Sequence, residues 1–149
     1  MTPRGIRNNN PGNLRPGPDP WLGQAAEQTD ADFLVFRAPE YGLRALAKTL
    51  LSYQHAHGLK TIAAIINRFA PPSENDTAAY VASVARACAV APDAPIDLRD
   101  AACLSDLIRA IVRRENGVMP YSPALIATAL ALAGIGPDCG PSAAAAKAA

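Results

Sequence analysis

The chain has 149 residues, half of them apolar and 18% charged, which fits one domain with an ordinary core and excludes a disordered polypeptide. Its formal net charge of +1 gives no basic face for nucleic acid, because Arg4, Arg7 and Arg15 are offset at once by Asp19, Glu27, Asp30 and Asp32. No window reaches the ~18 apolar residues that cross a membrane, and residues 1–13 lack the apolar segment of a signal peptide, so synthesis in a cytoplasm and no membrane insertion are expected.

Residues 1–32 read as irregular, a Gly/Asn-rich run punctuated by Pro11, Pro16, Pro18 and Pro20. Phe33-Leu34-Val35-Phe36 follows as an extended segment, one arm of a small hairpin. Pro39 then opens a helix to about Ala56, with Leu43, Leu46, Ala47, Leu50 and Leu51 at helical spacing and Gly58 as its stop. Thr61 caps a shorter helix carrying Ile62, Ile65, Ile66 and Phe69, which Ala70-Pro71-Pro72 ends. Asp76 or Thr77 caps the next, with Tyr80, Val81, Val84 and Cys88 inward.

After a loop marked by Pro92 and Pro95, Asp97 or Asp100 begins a fourth helix. Its buried stripe is Leu104, Leu107, Ile108, Ile111 and Val112, and it ends at Glu115-Asn116-Gly117. Ser122-Pro123 starts a last helix running to about Ala133. The expected molecule is mainly α: one five-helix domain over residues 1–134, and an Ala-rich flexible tail over 135–149 with no apolar face.

Cys88 and Cys103 fall on apolar helix positions and read as buried thiols, with Cys139 left over. His55 and His57 stand two apart at a helix end, with no third ligand beside them. No metal or other cofactor is expected, and there is no Ser-His-Asp set or phosphate-binding glycine loop.

Three segments could carry chemistry. Residues 4–15, with three consecutive asparagines and Pro11-Gly12-Asn13, precede Trp21, the single tryptophan. Asn amides read amide and hydroxyl groups through both a donor and an acceptor, and an indole offers a flat apolar face, a pairing suited to an amino sugar. The same residues are also ordinary turn formers. The second segment is Pro71-Pro72-Ser73-Glu74-Asn75-Asp76-Thr77, leading to Tyr80; helix capping accounts for part of it, while the prolines would hold Glu74 and Asn75 in a fixed direction. The third is Glu115-Asn116-Gly117, leading to Tyr121. A helix C-terminus disfavours negative charge, so helix stability does not explain Glu115, although Arg113 and Arg114 beside it would offset that effect. A solvated surface glutamate is the plainer reading. Glu40 and Arg44, four apart, read as helix support.

Arg4-Gly5-Ile6-Arg7-Asn8-Asn9-Asn10-Pro11-Gly12-Asn13-Leu14, Trp21-Leu22-Gly23, Phe36, Tyr41-Gly42-Leu43-Arg44-Ala45 and residues 70–77 resemble a family of small phage and prophage proteins, over roughly residues 4–121. Its members are described as virion or structural proteins, some linked to cell-wall lysis. The chain also resembles lysozyme-like peptidoglycan-cleaving enzymes. In glucosaminidases an Asn-rich loop and Trp-x-Gly precede a Phe-Arg pair, as Asn8 to Asn13, Trp21 to Gly23 and Phe36-Arg37 do here; Ala79-Tyr80-Val81 is similar to a cleft-lining motif of lytic transglycosylases. Those enzymes place the catalytic Glu on a helix ahead of the loop. Here the Glu-bearing helix comes late, so the resemblance implies a circular permutation.

The resemblance implies a lysozyme-like fold and cleavage of the peptidoglycan glycan strand, at the cell wall or periplasm or carried in the virion. Glu115 would be the general acid; Asn10, Asn13 and Trp21 would hold N-acetylated sugars, with Glu74, Asn75, Tyr80 and Tyr121 lining the cleft. Glu74 and Asp76 are candidates for a second carboxylate, and without one a single-carboxylate transglycosylase is expected. The partners would be glycan strands and other virion proteins. The alternative is a non-catalytic virion or wall-binding protein.

Overall fold

The computed structural model describes residues 1–136, which hold six helices: α1 (Arg4–Arg7), α2 (Pro39–His57), α3 (Ile62–Phe69), α4 (Thr77–Cys88), α5 (Ala101–Asn116) and α6 (Pro123–Leu132). The expected tail from residue 137 onward, with Cys139, lies outside the described residues.

The five long helices begin where local chemistry satisfies their first amides. Thr61, Asp76, Asp100 and Ser122 accept from the backbone N–H of Ala64, Ala79, Ala102 and Leu125 at 3.0–3.2 Å. Pro39 and Pro123 occupy first-turn positions, where a missing N–H costs nothing. Gly58 and Gly117 end α2 and α5 in the left-handed region, at φ 65° and 75°. α4 pairs with α5 and α2 with α6, and their apolar stripes join those of α3 in one core that includes Leu46, Leu50, Ile65, Val84, Ile108 and Ile111.

Gln54 fastens the long loop before α5 to the end of α2. It donates to the carbonyls of Leu59 and Ile96 and accepts from the backbone N–H of Leu98. The core also reaches past residue 134, where the sequence suggested that the domain stops. Gly134, at φ 89°, turns the chain so that the Ile135 N–H meets the Leu130 carbonyl and its side chain is buried.

The N-terminal region differs from expectation in two ways. Arg4–Arg7 forms one helical turn, too short to show periodicity. The small hairpin does not form: among the described residues only an isolated antiparallel bridge joins Gln24 to Phe36. The backbone of residues 33–36 is taken up instead by loops and side chains. Leu34 and Phe36 donate to the carbonyls of Leu14 and Asn8, and the Gln28 amide pairs with both polar groups of Val35. Leu34 and Phe36 thereby reach a second, small core with Ala45, against which Leu14, Trp21 and Tyr41 pack.

Candidate functional site

Glu115 continues the row Leu104, Ile108, Ile111 along α5, which turns its side chain toward the protein and leaves it half-buried. Tyr80 lies on the buried face of α4, and because α4 packs on α5 its hydroxyl reaches Glu115 Oε2 at 2.9 Å. Asn13 arrives from the N-terminal loop and donates Nδ2 to Glu115 Oε1 at 3.0 Å. Each carboxylate oxygen is held by one fixed donor and keeps a lone pair for another partner. Burial, then the charge of Glu115 and the bond to it, push the Tyr80 phenol well above its ordinary value; the Arg114 guanidinium, 5.4 Å over the ring, opposes them. Tyr80 therefore stays a donor to Glu115.

Glu115 and Asn13 open on a cleft of about 340 Å³. Glu74 and Asn75 stand in its wall, together with Arg15 and the rings of Phe33, Tyr53 and Phe69. The cleft thus joins two carboxylates, two amides, a guanidinium and three aromatic rings, with Arg4 and Arg15 over the Phe33 ring and Arg68 over that of Tyr53. A larger cavity of about 810 Å³ lies elsewhere, by Lys48, His55 and Ile135, and shares no lining residue with this cleft. Among the described residues no three His, Cys, Asp or Glu side chains gather where a metal ion could sit. No helix among them is long and apolar enough to cross a membrane.

The asparagine run divides its work. Asn8 donates to Asp30, and Asn9 donates to the Phe36 carbonyl. Asn10, expected to hold sugar, is fully buried. Its amide pairs with both backbone groups of Leu14 and also donates to the Leu34 carbonyl, so no donor or acceptor faces the cleft. That expectation is corrected: Asn10 staples the loop, and of the four asparagines only Asn13 enters the cleft. Asn13 does so in the left-handed conformation, φ 50°, which Asn tolerates better than most residues.

Trp21 lies outside the cleft, because its indole supplies apolar area to the small second core. Tyr121 also lies outside it, packed on the main core, where burial pushes its phenol up to about 12. Asp76 is spent as the cap of α4 and does not line the cleft.

Asn116 and Gly5, to which sequence reasoning assigned no separate role, hold the loop on α5. Asn116 donates to the carbonyls of Pro11 and Val112. Its Oδ1 and that of Asn13 close on Gly5, where an added Cβ would stand 2.5 and 2.9 Å from them. Neither oxygen has an N–H or O–H donor among the described residues. Gly42 likewise lets the Asn9 carbonyl sit where a side chain would be. The signal was present as Arg4-Gly5-Ile6 and Tyr41-Gly42-Leu43, motifs whose glycines mark close approach.

No protein-family model matches the chain. It is 36% identical over 122 residues to Protein P5 of Pseudoalteromonas phage PM2, an alignment covering 80% of this chain and 74% of the phage protein. The chain belongs to the family of that phage protein.

Proposed function

We propose that this member of a phage protein family cleaves the glycan strand of bacterial peptidoglycan, with Glu115 as its general acid, through a lysozyme-like arrangement of loop and helix. The observation that carries the reading is a half-buried glutamate set in an open cleft, its two oxygens oriented by Tyr80 and Asn13. The contact of Asn13 with Glu115 supports the permuted order, in which an early loop meets a late Glu-bearing helix.

In the single-carboxylate form, Glu115 gives its proton to the bridging oxygen as the bond from the sugar C1 to that oxygen breaks. The C6 hydroxyl of the same sugar then attacks C1, and its proton returns to Glu115. The product carries a 1,6-anhydro end, and no water is consumed. In the two-carboxylate form Glu74 activates water or attacks C1 directly. Asn13, Asn75 and the aromatic rings would hold the N-acetylated sugars.

Incubation with purified sacculi should release soluble fragments. Glu115→Gln should reduce release by at least a hundredfold while the helical circular dichroism is kept, in line with the ~10²–10⁴ supplied by general acid–base catalysis. Release that survives Glu115→Gln would sink the assignment. Mass spectrometry of the fragments separates anhydro from hydrolysed ends, and Glu74→Gln should reduce release only in the two-carboxylate form.

A second reading has its own observation. Glu115 ties the N-terminal loop, α4 and α5 together, and that is a sufficient structural role for it. On that reading the protein is a non-catalytic virion or wall-binding protein. Wild-type protein that binds sacculi without releasing anything would favour it.

A further inference from the structure

α4 and α5 run antiparallel, since Tyr80 meets Glu115 at one end of their seam and Cys88 and Cys103 line one small cavity at the other. The exposed side of that seam is a groove of about 420 Å³. Ser83 and Ala87, one turn apart on α4, are small enough to keep it open. Arg109, Arg113 and Arg114 of α5 line its other side, with Asp106 as the only carboxylate in its lining among the described residues. Among the described residues none of these arginines is within ion-pair distance of a carboxylate.

Like charges four apart on a helix destabilise it slightly, so pairing Arg109 with Arg113 does not stabilise α5, although Arg113 and Arg114 in its last turn complement the helix dipole. Guanidinium forks match carboxylates through paired hydrogen bonds. The groove shares no lining residue with the candidate cleft but is linked to it through one buried side chain: Arg114 lines the groove and lies over the Tyr80 ring, whose hydroxyl holds Glu115.

We propose that this arginine groove binds the carboxylates of the peptides that hang from the glycan strand, so that strands with free peptide carboxylates are preferred over strands without them. The inference rests on peptidoglycan being the substrate. A strand held at Glu115 carries further peptides beyond the cleft, and the groove on the α4–α5 seam offers their carboxylates a positively charged lining.

The test is co-sedimentation of the full chain with purified sacculi, either intact or with their peptide carboxylates converted to amides by carbodiimide and ammonia, which leaves the cross-links in place. Wild type should bind intact sacculi roughly tenfold more tightly than amidated ones, as about one charge-assisted contact would give. Arg109→Gln/Arg113→Gln should lose that preference, and Arg109→Lys/Arg113→Lys should recover part of it. Equal binding of the Gln variant and wild type to intact sacculi would overturn the inference, as would wild-type binding indifferent to amidation. Binding is read separately from fragment release. Carboxylate-dependent, arginine-dependent binding without release would therefore refute glycan cleavage and leave the groove standing; release without carboxylate preference would do the reverse.

Discussion

In the helical body, stripes from α2 to α6 meet in one apolar core, and side-chain polar groups serve mainly at helix ends and in loops. Before Pro39, Leu34 and Phe36 are the only large apolar side chains that are fully buried. There the backbone is held by the amides of Asn9, Asn10 and Gln28, and by the carboxylate of Asp30, to which the Asn8 amide donates. Apolar burial is non-directional and tolerates small displacements. Hydrogen bonds to a fixed carbonyl do not tolerate them, so a loop held this way delivers Asn13 to Glu115 in a defined position at little apolar area. The two regions should therefore fail differently.

The largest effect is expected in the body. Ile111 is fully buried on α5, and Ile111→Ala should cost about 2–5 kcal/mol from lost burial and the cavity left behind. The loss should appear as a lower midpoint of one cooperative transition in far-ultraviolet circular dichroism. Asn10→Ala comes next. It leaves the Leu34 carbonyl and the Leu14 N–H without a partner, while the Leu14 carbonyl keeps the Leu34 N–H, at about 1–3 kcal/mol for each orphaned group that stays dry. Water will reach some of them by letting the loop lift. Hydrogen exchange should then accelerate in residues 8–36 and stay slow in α4 and α5; equal acceleration in both regions would show a single cooperative unit. The same variant should impair any activity that needs Asn13, although Asn10 itself does not face the cleft.

The body was legible from sequence and the loop was not, for the same physical reason. Helix starts at Pro39, Thr61, Asp76, Asp100 and Ser122 depend on groups within three residues, and the apolar spacings that follow are local too. Glu115 could be singled out because it extends the buried row of α5 at an end where charge is unwelcome. What lies opposite each asparagine is decided by residues far along the chain: Asp30 for Asn8, Phe36 for Asn9, Leu34 for Asn10 and Glu115 for Asn13. Four chemically identical side chains therefore have one cleft-facing member, and composition cannot say which. Trp21 misled through its chemistry, since an indole suited to stacking on sugar is equally suited to covering Leu34 and Phe36.

The smallest effect isolates the loop by pH. The Arg4 guanidinium, bonded to both oxygens of Asp30, holds that carboxyl far below its ordinary range, with Asn8 and the N–H groups of Asp32 and Phe33 assisting. In the unfolded loop Asp30 would take up its proton near pH 4, at its ordinary value. Below that pH the detached loop binds more protons than the docked one. The contribution of Asp30 is therefore complete above pH 4 and falls away as the solution becomes more acid. Trp21, the only tryptophan, packs on the small core of this region, so its fluorescence reports loop docking, while circular dichroism reports the helices. Fluorescence should change at a higher pH than ellipticity during acid titration. Asp30→Asn removes the titrating group and should bring the two curves together, at the cost of a more weakly docked loop at neutral pH. Coincident curves in the wild type would mean that the amide-held loop and the apolar body open as one, because then the staples around Asn10 are no weaker than the core beneath them.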